Sequence, residues 1–167
     1  MWERVQKEKT IIIADDDMGH CLLMTRNFRR AGITNEILTF TDGEELLDFL
    51  FARTVGRSID PSVPYVLLLD IRMPRINGIE VLGKIRQHHE LKKIPIIVIS
   101  TTDDPQQIDE CYEMGCSFYL AKPTDQLQFT ETIEKLGRFI SLSAIKVPQI
   151  NMAEEIEQTR VSKSQGR

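Results

Sequence analysis

Five polar side chains directly follow short apolar runs of the sequence, and their types suit chemistry on a phosphoryl group. Carboxylates are the ligands that a hard divalent cation such as Mg²⁺ prefers, and an ammonium or a hydroxyl can pair with a phosphoryl oxygen. Three close carboxylates repel one another, and a bound cation relieves that repulsion. The residues are Asp15 and Asp16 after Thr10–Ala14, Asp70 after Tyr65–Leu69, Ser100 after Pro95–Ile99, and Lys122 after Ser117–Ala121.

Each of these residues also has an ordinary structural explanation. Asp15–Asp17 can cap a helix, Ser100 can cap another, and Lys122 can be a solvated lysine. Asp70 closes the most apolar run, where a simple loop role explains less. The combination of acids, hydroxyl and amine at four run ends favours a shared site over separate coincidences.

The runs that carry these residues predict buried strands of one parallel sheet. They are short and apolar, and they lack the alternation of a half-exposed strand. Helical periodicity follows each of the five runs, so right-handed crossovers give a doubly wound, three-layer α/β sandwich. Ligands bind such sheets at the edge where the strands end. The predicted strands are Thr10–Ala14, Glu36–Thr41, Tyr65–Leu69, Pro95–Ile99 and Ser117–Ala121, and the predicted helices run from Met18 to about Ala31, over Glu44–Ala52 and Ile79–His88, from Pro105 to about Met114, and from Thr124 to about Ser143.

The charge and composition of the chain argue against several partners. The 167 residues carry a formal net charge of −4, without the clustered positive field that nucleic-acid binding needs. No apolar run approaches the ~20 residues of a membrane span, and the N-terminus MWERVQKEKT lacks the apolar stretch of a signal peptide. We therefore expect a cytoplasmic protein with no nucleic-acid or membrane partner and with reduced cysteines.

The motifs resemble the receiver domain of two-component response regulators. From about Lys9 to Phe139 the chain carries IIIADDD at 11–17, LLLDIRMPRINGIEVL at 67–82, PIIVIST at 95–101 and GCSFYLAKP at 115–123. The most specific motif is the D-x-x-M-P-x-x-[DN]-G string that begins at Asp70. The resemblance implies a flavodoxin-like sheet with strand order 2-1-3-4-5.

The resemblance also implies a phosphoacceptor and a metal site. Asp70 would accept a phosphoryl group from a histidine kinase or a phosphotransfer protein, forming an acyl phosphate. Mg²⁺ would be held by Asp15, Asp16, Asp70 and the backbone carbonyl of Arg72, with Asp16 a direct ligand and Asp15 acting largely through water.

Further roles follow for the residues after the fourth and fifth strands. Ser100 and Lys122 would bind the phosphoryl group, with Thr101 beside it in place of the usual Ala or Gly. Ser100 and Tyr119 would form the switch, the ring turning inward as the hydroxyl moves. The resemblance also implies a cis peptide bond between Lys122 and Pro123. Arg72 and Thr102 occupy variable positions that tune autodephosphorylation in relatives, and the phosphoryl lifetime stays open.

Two features are similar to the stand-alone receivers partnered with phytochrome-type histidine kinases. They are the long loop Arg53–Pro64 and the string ECYEMGCSFYLAKP, and the sequence also lacks a recognisable output domain. We divide the chain into an N-terminal arm at 1–9, a receiver domain at 10–146 and a C-terminal tail at 147–167.

The last predicted helix carries two apolar lines. One, formed by Phe129, Ile133, Leu136 and Ile140, is expected to face the sheet. The other, formed by Phe139, Leu142 and Ile145, is either a wider core face or the surface of a homodimer that the C-terminal region extends.

Two other functions stay open at this point. A haloacid-dehalogenase-like phosphatase also uses an Asp nucleophile and Mg²⁺, but its D-x-D-x-[TV] string is broken because Met18 and Gly19 follow Asp15–Asp17. A non-switching receiver would act as a protein-binding module, and such receivers usually lack one of the acids or the lysine. We therefore predict a phosphoacceptor signalling protein, not an enzyme, with only self-catalysed phosphotransfer and autodephosphorylation.

Overall fold

The apolar runs form a parallel sheet whose strand order confirms the prediction. The computed structural model describes residues 7–142 and 146–150, and its five strands lie in the order β2-β1-β3-β4-β5. The strands are β1 (Thr10–Ala14), β2 (Ile37–Phe40), β3 (Tyr65–Leu69), β4 (Ile96–Ser100) and β5 (Phe118–Ala121). β4 begins after Pro95, which has no N–H to give to a neighbouring strand. It includes Ser100, which pairs with Ala121 of β5.

Five α-helices alternate with the strands, and an aspartate or asparagine side chain caps each of them. The helices are α1 (Met18–Arg30), α2 (Gly43–Leu50), α3 (Gly78–Gln87), α4 (Pro105–Glu113) and α5 (Gln126–Ser141). Their caps accept backbone hydrogen bonds from the first turn, which satisfies N–H groups that have no partner within the helix. The capping residues are Asp17, Asp42, Asn77, Asp104 and Asp125.

The sheet separates two hydrophobic clusters, because its central strands are buried on both faces. In β1, Ile12 and Ala14 face a cluster with α2 and α3, whereas Ile11 and Ile13 face a cluster with α1 and α5. β3 divides its side chains in the same way. This covering of both faces explains why the two strands read as unbroken apolar runs.

The packed part of the chain extends past residue 146, where the sequence analysis places the start of the tail. Val147 is buried in the cluster beside α1 and α5, and Ile150 is buried in the cluster beside α2 and α3. The Lys9 ammonium donates to the carbonyls of Ile140 and Leu142 at 2.8 and 2.7 Å, which satisfies acceptors at the end of α5. The arm at 1–6 and the tail from residue 151 lie outside the described residues.

The two apolar lines of α5 differ in exposure. Phe129, Ile133 and Ile140 are buried against the sheet, whereas Phe139 and Leu142 are 48% and 53% exposed. Ile145 lies outside the described residues. Among the helices that the structure describes, none has the length and apolar character needed to cross a bilayer.

Gly78 is required by the close approach of α3 to the end of β3. A Cβ at this position would lie 2.7 Å from the Cα of Ile71 and still nearer the carbonyl oxygen of Asp70. We expect Gly78→Ala to lower the free energy of unfolding by about 3 kcal/mol, because backbone atoms must shift. Urea denaturation measures the change.

Gly83 is the matched control within the same helix. Its added Cβ would meet only the terminal methyl of Met114, at 3.0 Å, and a flexible side chain can move. Gly83→Ala should change the free energy of unfolding by less than about 1 kcal/mol, since alanine favours the helix. Equal losses in the two variants would contradict the steric explanation.

Candidate functional site

The pairing of β1 with β3 brings three carboxylates together. Ala14 lies opposite Leu69, and the Asp70 N–H donates to the carbonyl of Ala14 at 2.8 Å. Asp15, Asp16 and Asp70 each offer an oxygen, and these oxygens lie within 4.8 Å of one another. Asp15 and Asp70 are 1% and 7% exposed, whereas Asp16 is open to solvent. The carboxylates predicted from the sequence therefore form one cluster.

Lys122 reaches this cluster from the end of β5, which is an edge strand of the sheet. β5 pairs with β4, and the Lys122 N–H donates to the Ser100 carbonyl at 2.6 Å. The Lys122 Nζ lies 2.7 Å from Asp15 Oδ2 and 3.5 Å from Asp70 Oδ1. Its side chain is 6% exposed, so the pairing is largely shielded from water.

The cluster has the donor set of a divalent-cation site. Three carboxylates and one ammonium leave a formal charge of −2 if all are ionised. All the side-chain donors are oxygens, which suit Mg²⁺ or Mn²⁺ better than softer metals. The solvent-facing position of Asp16 leaves room for bound water, so the residues present fit such a cation.

The environment of Asp70 disfavours its charged form when no cation is bound. Burial raises the pKa of Asp70 to about 6; the Lys122 ammonium opposes the rise, and the charges of Asp15 and Asp16 add to it. A divalent cation would act in the opposite direction by favouring the ionised carboxylate. The carboxyl group is thus unusually sensitive to the charges placed beside it.

Ser100 and Tyr119 are connected through the backbone of Thr102. Ser100 is fully buried, and its Oγ accepts from the Thr102 N–H at 3.4 Å. The Tyr119 hydroxyl donates to the Thr102 carbonyl at 2.9 Å and accepts from Gln107 Nε2 at 3.0 Å. Thr101, predicted to lie beside the phosphoryl group, has an exposed side chain after β4. No pattern in the sequence predicts the hydrogen bond between Gln107 and Tyr119.

The loop between β3 and α3 carries Arg72 and is held at both ends. The Ile71 carbonyl accepts from the N–H groups of Met73 and Gly78, at 3.1 and 2.8 Å. Arg75 has a φ of 64° and forms an ion pair with Asp42, the cap of α2. The Arg72 side chain is exposed, and the use of its carbonyl as a metal ligand stays a prediction.

The expectation of a cis bond between Lys122 and Pro123 is not met. Every peptide bond in the described part of the chain is trans. An X–Pro bond favours trans by about 0.5–1 kcal/mol unless its surroundings impose cis, and the sequence motif alone does not specify those surroundings.

Sequence reasoning gave no role to His20, which the structure places beside the cluster. His20 Nδ1 lies 3.3 Å from both Lys122 Nζ and Asp15 Oδ2. Lys122 and His20 are 102 positions apart, so periodicity along the chain could not have shown this contact.

Comparison with known proteins identifies the family of this chain. The family model of the response regulator receiver domain matches residues 11–134, and the chain belongs to this family of two-component signalling proteins. A receiver domain from Rhodospirillum rubrum has a similar structure, with a TM-score of 0.75 and 34% identity over 85% of this chain and 99% of that one. This membership does not favour the phosphatase alternative.

Two cyanobacterial response regulators, RcpA and Rcp1, are also similar to this chain. The phosphorylated phytochrome response regulator RcpA has a TM-score of 0.75 and 27% identity, with 86% of this chain and 100% of RcpA covered. Response regulator Rcp1 of Synechocystis is 26% identical over 78% of this chain and 88% of its own length. Its Mn²⁺-bound structure has the same fold, with a TM-score of 0.73 and 23% identity over 84% of this chain and 99% of that one.

The raised pKa of Asp70 predicts a pH-dependent cost to stability in the absence of divalent cations. Because the folded value of about 6 exceeds the ordinary 3.8, ionisation destabilises the fold as pH rises through that interval. We expect Asp70→Asn to raise the free energy of unfolding, measured in EDTA relative to the wild type, by about 1–2 kcal/mol more at pH 7.5 than at pH 4. An equal difference at both pH values would contradict the burial effect.

Proposed function

We propose that Asp70 is the phosphoacceptor of this receiver domain. The observation that supports it most directly is the largely buried carboxylate at the end of β3, flanked by two further acids and by the Lys122 ammonium. The donor on a histidine kinase or phosphotransfer protein would be a phosphohistidine. The class of reaction is therefore transfer of a phosphoryl group from nitrogen to oxygen.

In the proposed transfer an ionised Asp70 oxygen attacks phosphorus. The O–P bond forms while the N–P bond of the phosphohistidine breaks, and the bonding pair returns to the imidazole nitrogen. Lys122 supplies a fixed positive charge near the accepting oxygen, and Ser100 supplies a hydroxyl donor. Such transfers depend mainly on positioning and charge neutralisation.

Mg²⁺ is the cofactor that we propose for this step. Asp15, Asp16, Asp70 and the Arg72 carbonyl would hold it, and a bound cation would neutralise charge on the phosphoryl oxygens. The donor set supports this assignment, and the Mn²⁺ found in Rcp1 is the same kind of hard divalent cation. The protein would then act as a self-catalysed acceptor that later loses its phosphate to water, with no separate substrate turned over.

The proposed output is a change in the surface formed by α4, β5 and α5. Thr102 joins the Ser100 hydroxyl to the Tyr119 hydroxyl, so movement of Ser100 toward a phosphoryl group would disturb both bonds. A shift from mostly resting to mostly active needs about 5 kcal/mol of differential interaction. A non-switching receiver would bind partners without such a shift.

We also propose that the kinase partner is of the phytochrome type and that signalling takes place in the cytoplasm. The likeness to RcpA over nearly the whole of that chain supports the first part. The net charge of −4 and the lack of a basic cluster in the sequence argue against nucleic acid as the partner.

The phosphoacceptor assignment is tested with acetyl phosphate and Mg²⁺. We expect the wild type to gain the mass of one phosphoryl group, with the modified peptide containing Asp70, and Asp70→Asn to gain none. Asp109→Asn, which alters an exposed acid on α4, is the matched control and should be modified like the wild type. Intact-mass spectrometry gives the measurement, and equal modification of Asp70→Asn would reject the assignment.

A homodimer through the outer face of α5 is the proposed use of its exposed apolar side chains. Phe118 on β5 and Phe139 on α5 make an edge-to-face contact at 6.4 Å while remaining 54% and 48% exposed. Leu142, three residues after Phe139, is also exposed. Covering this patch would remove apolar surface from water.

Phe139→Glu should weaken the proposed dimer by about tenfold or more, because it places a charge in the contact. Leu127→Glu changes a leucine that is 75% exposed near the start of α5, and it should leave association within about twofold. Sedimentation equilibrium, with and without acetyl phosphate, measures both. Equal association of wild type and Phe139→Glu would remove this face as the interface.

A further inference from the structure

His20 is held beside the acidic cluster by the start of α1. The Asp17 carboxylate caps this helix and accepts from the N–H groups of Gly19 and His20, at 2.8 and 3.3 Å. The imidazole also lies against the Phe129 ring of α5, with 6.4 Å between the ring centres. Backbone capping and ring packing therefore both restrict where the imidazole can lie.

The contact with Lys122 defines which imidazole nitrogen accepts a hydrogen bond. An ammonium has three donors and no acceptor, so a hydrogen bond between Lys122 Nζ and His20 Nδ1, which are 3.3 Å apart, requires Nδ1 to be the acceptor. In the neutral ring Nε2 then carries the hydrogen, and it faces Asp17 Oδ2 at 3.7 Å. The same aspartate that starts the helix thus lies near the nitrogen that carries the hydrogen.

Three acceptors in the described structure surround the Lys122 ammonium, and they hold it unequally. Asp15 Oδ2 lies at 2.7 Å and His20 Nδ1 at 3.3 Å, and these two acceptors are themselves only 3.3 Å apart. Asp70 Oδ1 lies further away, at 3.5 Å. The ammonium is therefore held most closely by Asp15, while His20 and Asp70 contact it at nearly equal distances.

We propose that His20 is a positioning residue for Lys122, which together with Asp15 keeps the ammonium in place beside Asp70, so that a phosphoryl group on Asp70 meets a counter-charge already in position. This inference rests on the proposed phosphoacceptor function of Asp70. A phosphoryl group attached to Asp70 projects its outer oxygens beyond the carboxylate, where the Lys122 ammonium can pair with them.

Loss of the His20 acceptor has a definite consequence in this arrangement. One donor of Lys122 would lose its partner, and the ammonium would move toward Asp70 or sample several positions. Binding of a phosphoryl group would then have to order the lysine again, which lowers affinity without removing any group that touches the ligand. The effect depends on an acceptor at this point of the site and not on a change in the charge of the imidazole.

Beryllofluoride, an analogue of the phosphoryl group, tests this role in the full-length protein with saturating Mg²⁺. His20→Leu removes the acceptor, whereas His20→Asn places a side-chain oxygen near the position of Nδ1 and can restore it. We expect His20→Leu to raise the Kd for beryllofluoride about fivefold, as for one lost hydrogen bond to a charged group near the surface. His20→Asn should remain within about twofold of the wild type by the same measure, isothermal titration calorimetry.

Three results would overturn the inference. They are an unchanged Kd in His20→Leu, an equal loss in His20→Asn, and a matching loss of affinity for Mg²⁺ alone, which would show that His20 acts through the cation. Urea denaturation of both variants separates a general loss of stability from the local effect. If the wild type itself fails to bind beryllofluoride, or binds it no better than Asp70→Asn, the phosphoacceptor assignment fails first, and the role of His20 fails with it.

Discussion

The ion pair between Lys122 and Asp15 is the interaction on which the rest of the site depends. β1 and β3 are neighbours, so their ends force Asp15, Asp16 and Asp70 into one small volume. The balancing positive charge comes from Lys122, which follows β5, and two strands, β3 and β4, lie between β5 and β1.

That arrangement connects the acidic cluster with β4 and β5 through ion pairs and hydrogen bonds. The Lys122 N–H donates to the Ser100 carbonyl. The Thr102 N–H donates to Ser100 Oγ, and the Thr102 carbonyl accepts from the Tyr119 hydroxyl. The Lys122 ammonium therefore contacts Asp15 and Asp70, while its backbone N–H is bonded to Ser100 of β4. The fold thus supplies a short physical route from the acidic cluster to the α4–β5–α5 surface without a long chain of intermediates.

The sequence was informative where a local pattern determines the structure. Unbroken apolar runs predicted the strands, and the residue types at their ends predicted the carboxylate cluster with Lys122. It failed where a contact joins distant positions or lacks periodicity: His20 meets Lys122 across 102 positions, and Val147 and Ile150 are isolated apolar residues in a polar stretch. The bond before Pro123 is trans, although the resemblance had implied cis.

The burial of Val147 and Ile150 has a practical consequence for attaching other molecules to this chain. Lys9 and Pro64, which precede β1 and β3, line the same depression as Val147, so this segment lies at the end of the sheet opposite Asp70. A fluorophore or affinity tag must therefore be attached without removing Val147 or Ile150. Cutting the chain at 146 to shorten it would instead uncover both hydrophobic layers at once.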